Sequence, residues 1–165
     1  MRKVILIAHD LRSTHNVGSL LRTAEGLGVE TVFFTGYSPY PRVINDERLP
    51  HITDKLDRQI QKTALGAEKL MNWRHHENIF ELIKELKKNQ YLIVALEQDQ
   101  RSIELNKSQL KGSTAVAVVV GNEVKGLDKN ILDAVDSIVE IPMRGSKESL
   151  NVVQAAAIVA YVFTT

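Results

Sequence analysis

The sequence predicts an α/β layered domain built on a parallel sheet, and three observations carry that expectation. Apolar, β-branched runs alternate along the chain with segments of helical periodicity, the pattern of a layered α/β domain. One run, TAVAVVVG, is continuously apolar from Ala115 to Val120, as a central parallel strand covered on both faces must be. Its carboxyl end passes at once into Gly121, Asn122 and Glu123, followed by Gly126. Carboxyl ends of parallel strands are where open α/β sheets take ligands, and glycines there let backbone amides approach closely.

The elements follow in order. KVILIAHDL is a mostly apolar strand ending in polar residues, and it feeds a helix in which Val17, Leu20, Leu21, Ala24 and Leu27 recur on one face. Asn16 stands at the expected N-cap and Gly28 at the expected left-handed terminator. Gly18, Ser19, Arg22 and Gly26 fall on another face; Gly18, one turn before Arg22, is expected to leave the guanidinium free to approach a backbone or a ligand. A solvated arginine on a capped amphipathic helix accounts for this block taken alone. TVFFTG is the second strand. GYSPYPRVINDERLP (36–50) holds three prolines and a glycine and is expected to be an irregular loop, of a length that is often functional. Ile79, Leu82, Ile83 and Leu86 mark a helix closing on Lys87 and Lys88, which suit its negative end. YLIVALE is a further strand. After the central run, Asp128 is placed to cap DKNILDAV, and SIVEIPM is a short strand. SLNVVQAAAIVAYVF is apolar nearly all round, which implies a helix that is buried or pressed against a partner subunit. Ser149 is its expected N-cap. Asn151, in its first turn beside the loop of Arg144, Gly145, Ser146 and Lys147, needs hydrogen-bond partners.

Composition narrows the class. The 165 residues suit one domain, 1–165, with no linker or internal repeat, and 44% hydrophobic content is ordinary for a globular protein. No apolar run approaches a membrane span, and MRKVILIAHDL turns polar too soon for a secretory segment, so a cytoplasmic location is expected. The absence of cysteine excludes disulfides, thiolate-bound zinc and methyl transfer through a cysteine nucleophile. His51, His75 and His76 lack metal-ligand spacing, so no metal is expected. A formal net charge of +1 does not announce a nucleic-acid protein. Lys55, Arg58 and Lys62, with Arg42 and Arg48 before them, form one candidate phosphate-binding face, although Asp46, Glu47, Asp54 and Asp57 are interleaved. Trp73 is expected to pack in or at the edge of the core. No G-x-G-x-x-G follows the first strand, which argues against a nicotinamide-dependent oxidoreductase.

Three blocks hold nearly all the unusual polar residues: HNVGSLLRTAEGLGV (15–29), VVVGNEVKGL (118–127) and IPMRGSKESLNVVQAAAIVAY (141–161). In this order they resemble the three signature motifs of the SpoU branch of the SPOUT RNA methyltransferases. The matching residues are Asn16, Gly18, Arg22 and Ala24; Gly121, Asn122, Glu123 and Gly126; and Ile141, Pro142, Met143, Ser149, Leu150 and Asn151. KTALGAEKLMNW (62–73) is similar to the family's middle region, so the resemblance spans the chain.

The resemblance implies a SPOUT-type parallel-sheet domain whose C-terminal segment forms a deep trefoil knot, a rare exception to the rule against threading. It implies that the knot's loops hold S-adenosylmethionine, with Leu96, Ile141 and Leu150 around the adenine, backbone at Gly121 and Ile141 reading its polar edge, and Met143 and Ser149 in the same pocket. It also implies a homodimer through the first and last helices, an RNA substrate (tRNA ahead of rRNA), and methyl transfer to a ribose 2′-hydroxyl. Arg22, Asn16, Glu123, Ser149 and Asn151 would form the catalytic group. A guanidinium with a pKa above about 12 is a poor base. Arg22 is therefore expected to act as a fixed positive charge on developing alkoxide or on phosphate, oriented by an ion pair with Glu123. Asn16, Ser149 and Asn151 would supply positioning hydrogen bonds. A non-catalytic RNA-binding protein retaining the knotted fold is the alternative.

Overall fold

The computed structural model describes residues 2–108 and 114–165. Among these, seven strands form one sheet: β1 (Lys3–His9), β2 (Thr31–Thr35), β3 (Trp73–His76), β4 (Leu92–Leu96), β5 (Ile103–Glu104), β6 (Ala115–Val120) and β7 (Ser137–Glu140). Their order is β3-β2-β1-β6-β4-β7-β5, and every pairing is parallel. The helices are α1 (Thr14–Gly26), α2 (Pro50–Ala64), α3 (Ala67–Leu70), α4 (Ile79–Lys88), α5 (Lys129–Ala134) and α6 (Val152–Thr164).

Strand alternation divides the core between the two faces. Val4, Leu6 and Ala8 of β1, with Val116, Val118 and Val120 of β6, point into one cluster with Leu20, Leu21 and Ala24 of α1 and Ala156, Val159 and Phe163 of α6. Ile5 and Ile7, with Ala117 and Val119, point the other way, onto Ile79, Leu82, Ile83 and Leu86 of α4 and Ile131 of α5. Burial on both faces is why β6 shows no polar alternation: all six of its residues are buried.

Several helix ends differ from expectation. α1 is capped by Ser13, whose Oγ accepts the Asn16 backbone N–H at 3.2 Å, so Asn16 lies inside the first turn with its amide free for other work. Gly28 does adopt the left-handed terminator, at φ +68°. α6 is capped by Asn151, whose Oδ1 accepts the Val153 N–H at 2.9 Å, and not by Ser149, which stays in the preceding loop. Asp128 occupies the N-cap of α5, but its side chain makes no capping bond. Gly18 does not serve to clear space beside Arg22. It is buried where α2 crosses α1, and a Cβ there would run into the Ile60 carbonyl and the Thr63 hydroxyl.

The 36–50 loop is irregular as far as Leu49, and Pro50 starts α2. Arg48 organises it, donating to the carbonyls of Tyr40 and Pro41, pairing with Asp46 and lying 3.7 Å over the Tyr40 ring. That pair, through its hydrogen bonds, holds the Asp46 carboxyl well below the usual carboxylate range. Arg42 pairs with Asp54 at 2.8 Å. Two of the five candidate phosphate-binding cations are thus engaged within the chain, and Lys55, Arg58 and Lys62 stand exposed on α2. Trp73 packs near Phe34 and Tyr40 and donates Nε1–H to the Glu68 carbonyl, the packing role expected of it.

Candidate active site

The carboxyl ends of β4, β6 and β7 surround a cavity of about 380 Å³, within the size range of small-molecule sites. Three strand ends and their loops supply its wall: Leu96 at the end of β4 with Glu97 and Gln98 after it, the turn after β6 from Gly121 to Gly126, and the segment from Ile141 to Leu150 after β7. Leu96, Gly121, Ile141, Met143, Ser149 and Leu150, the six residues the resemblance assigned to a cofactor, all line it.

The turn after β6 is folded back tightly. Asn122 and Gly126 bridge through both backbone hydrogen bonds, and Asn122 Oδ1 accepts the N–H groups of Val124 and Lys125, each at 2.9 Å. Asn122 Nδ2 donates to the Asp10 carbonyl at 2.8 Å and so fixes the turn to the end of β1. Gly121 makes this folding possible. A Cβ on Gly121 would lie 2.6 Å from the carbonyl carbon and oxygen of Gly126, so what approaches the Cα is the turn's own backbone.

Glu123 is the junction between the first two motif blocks. Its carboxylate accepts the backbone N–H of Arg12 at 3.0 Å, the N–H of Ser13 at 3.2 Å and the Asn16 side-chain amide at 2.9 Å. Burial disfavours its charged form, but these donors outweigh that cost and hold its pKa below the ordinary glutamate value. Asn16 in turn accepts from Asn151 Nδ2 at 3.3 Å, which brings in the third block.

Arg22 is not part of this network. The expected ion pair with Glu123 is not made, because the Glu123 carboxylate is occupied by main-chain and amide donors. Arg22 is exposed two turns further along α1, in a groove it shares with Ser19, Thr63 and Ala157. The expected group of five is therefore split: Asn16, Glu123 and Asn151 are joined by hydrogen bonds, Ser149 lines the cavity, and Arg22 lines the groove. The donors from Arg12 and Ser13 escaped sequence reasoning because they are main-chain groups, which no residue type announces. Glu97 and Gln98, which also line the cavity, were missed although a charged residue directly after a buried strand is a readable signal.

The fold and the site define a class: a parallel α/β protein with a small-molecule cavity at the carboxyl ends of its strands. The chain belongs to the SpoU rRNA Methylase family, whose sequence profile matches residues 3–161. It is 29% identical over 157 residues to a TrmH-family tRNA/rRNA methyltransferase of Staphylococcus aureus, covering 95% of this chain and 56% of that protein. It is 30% identical over 158 residues to the 23S rRNA (guanosine-2'-O-)-methyltransferase RlmB of Bordetella pertussis, covering 96% and 58%. The chain thus spans a little over half the length of these relatives. Among solved structures, the TrmH/SpoU tRNA modifying enzyme of A. aeolicus superposes with a TM-score of 0.79 at 23% identity, over 99% of this chain and 75% of that one. The fold is therefore of the SPOUT methyltransferase type.

Proposed function

We propose that this chain is an S-adenosylmethionine-dependent RNA methyltransferase that methylates a ribose 2′-hydroxyl. The observation that carries this reading is the convergence of six residues from three separate strand ends and their loops on one cavity, beside the hydrogen-bonded chain Glu123–Asn16–Asn151. Family membership and the name of the Bordetella pertussis relative, a guanosine-2'-O-methyltransferase, support the reaction class.

The cavity's chemistry suits the cofactor. Leu96, Ile141 and Leu150 offer apolar surface for an adenine, and four glutamates against one lysine, Lys125, among the lining residues give the cavity a negative balance that suits a ligand's sulfonium and ammonium charges. When bound, S-adenosylmethionine supplies an electrophilic methyl group. The protein's task is then to hold the ribose oxygen in line and to manage its proton. Asn16 and Asn151 are assigned to position the ribose or the loop that holds it, with Ser149 beside them, and Glu123 keeps the two amides in place. Arg22 is assigned as a fixed charge facing alkoxide or phosphate.

Placing Arg22 at the reaction needs more than one chain, because it lies in a groove apart from the cavity. A homodimer through α1 and α6 supplies that second surface. Ile158, Tyr161 and Val162 leave α6 with apolar area exposed, at 41%, 59% and 41%, next to the Ala157 side of the groove. A C-terminal trefoil knot is part of the same proposal, supported by the return of the chain after β7 to pack α6 across β1, β4 and β6. The substrate is structured RNA in the cytoplasm, with tRNA to be tested ahead of rRNA.

The experiment is methyl incorporation from radiolabelled S-adenosylmethionine into unmodified tRNA and rRNA, with the product nucleosides identified by mass spectrometry. A 2′-O-methylnucleoside is expected. Cofactor binding with no incorporation into either RNA would leave a binding protein in place of an enzyme, and base methylation would overturn the ribose assignment.

A further inference from the structure

The two residues immediately after β4 tie together the three loops around the cavity. Glu97 Oε2 accepts the Leu127 N–H at 2.9 Å, and Oε1 accepts the Gln98 N–H at 3.0 Å. Its carboxylate fills the space beside Gly126, where a Cβ would collide with it, and Gly126 holds a left-handed φ of +68°. Gln98 continues the connection in the other direction, its Nε2 donating to the Glu148 carbonyl at 2.8 Å. Glu148 directly precedes Ser149 and Leu150 on the cavity wall.

These bonds matter because the loops have few main-chain ladder bonds, and the Asn122 and Glu123 side chains tie the 121–126 turn to the end of β1 and the start of α1, leaving the Leu127 N–H to Glu97. The turn after β6 has one isolated bridge of its own, between Asn122 and Gly126, and residues 141–150 contain no helix or strand. Segments with so few ladder bonds open at low free-energy cost unless side chains hold them. Glu97 and Gln98 sit at the end of a strand paired on both sides, by β6 and β7, which makes them a rigid base for such a hold.

We propose that Glu97 and Gln98 are positioning residues that clamp the cofactor cavity, Glu97 setting the 121–127 turn and Gln98 holding the 141–150 segment against it. The identity of the ligand rests on the S-adenosylmethionine reading above, whereas the clamp itself does not. Neither residue is assigned contact with the reacting atoms.

The test combines amide hydrogen exchange of the ligand-free chain with calorimetric titration of S-adenosylmethionine and S-adenosylhomocysteine, for wild type, Glu97→Ala, Glu97→Gln and Gln98→Ala. Glu97→Ala should speed exchange across 122–127 by roughly tenfold or more, the scale for losing hydrogen bonds to a charged acceptor, and weaken both ligands by a similar factor. Glu97→Gln keeps one acceptor oxygen and should restore part of both. Gln98→Ala should speed exchange in 143–150 and leave 122–127 as in wild type, with about fivefold weaker binding. Amides of β1 and β6 should not change in any variant. The clamp is overturned if Leu127 exchanges in the Glu97 variants as in wild type, or if ligand affinity is unaltered in all three. Should Glu97→Ala not fold, Glu97→Gln and Gln98→Ala decide the matter by the same two readouts. If the wild-type chain binds neither ligand, the cofactor reading fails, and the exchange data still decide the clamp.

Discussion

Asn16 donates its side-chain amide to Glu123 at 2.9 Å across 107 residues of sequence, and its carbonyl oxygen accepts from Asn151 at 3.3 Å. One residue from each of three distant blocks is thereby held in a single line of hydrogen bonds. Among the described residues no cationic side chain takes part. The carboxylate at its end is satisfied by amide donors, which fixes its position without the mobile side chain of a lysine or arginine, and fixed dipoles are what a site needs when charge develops in it.

Glu123 should mark this network in the pH dependence of stability. Burial opposes its ionisation, the N–H groups of Arg12 and Ser13 and the Asn16 amide favour it, and the folded pKa is depressed. A depressed carboxyl contributes stability that is fully present above its unfolded value, about 4.3, and lost as pH falls through the folded one. Urea midpoints measured from about pH 6 downward should therefore fall more steeply for wild type than for Glu123→Gln, with the difference confined to the acidic side of about pH 5. Parallel profiles would contradict the assignment.

Gly121→Val should abolish binding of S-adenosylmethionine while the far-ultraviolet circular dichroism stays that of a folded protein. The added side chain meets the Gly126 carbonyl and the Leu127 side chain, so the turn cannot fold back and the cavity loses a wall. Calorimetry reads the result directly. Wild-type affinity in this variant would remove the cavity from consideration.

At Gly18 the expected effect is on stability. An added methyl has to enter the contact between α1 and α2 and push against the backbone of Ile60 and Ala64. Overpacking of this kind costs about 1–3 kcal/mol. Chemical denaturation of Gly18→Ala should show a loss of that size, and an unchanged midpoint would mean that α2 shifts freely.

Arg22 distinguishes a fixed charge from a proton acceptor. As a fixed charge, Arg22→Lys should keep part of the activity, and Arg22→Ala should lose on the order of a hundredfold or more in turnover. Cofactor affinity should barely change in either, since Arg22 lines a groove separate from the cavity. A new ionisation in the single-turnover pH profile of the lysine variant would instead identify residue 22 as the base. Sedimentation equilibrium belongs with this experiment: a monomer at micromolar concentration would leave Arg22 without the second chain that its role requires.

Five of the seven strands were legible in the sequence because burial leaves a largely apolar, β-branched run, with β6 the clearest case, whereas β3 and β5, short and without a fully buried residue, were not. The α4 helix was equally legible, since Ile79, Leu82, Ile83 and Leu86 form one stripe and all four are buried. The cavity-lining residues were read from their resemblance to a family, and the geometry brings them together. Helix starts were read three residues late at α1 and two residues early at α6. Ser, Thr, Asn and Asp all cap well, so composition near a helix start does not say which of them does so.

The alternation of strands and helices, the central place of the 115–120 run and the family can be read along the chain, because each is written in local periodicity or in ordered motifs. What the polar residues bind came from the folded arrangement. Glu123 was expected to pair with Arg22, by the rule that opposite charges attract, yet two main-chain N–H groups and an amide lie closer and satisfy it. Gly18 and Gly121 were read as space for a ligand or a side chain, and each proved to be space for backbone from a distant or folded-back segment. A hydrogen bond depends on which groups the fold brings within about 3 Å, and main-chain donors are present at nearly every residue, so residue identity alone cannot single out the partner.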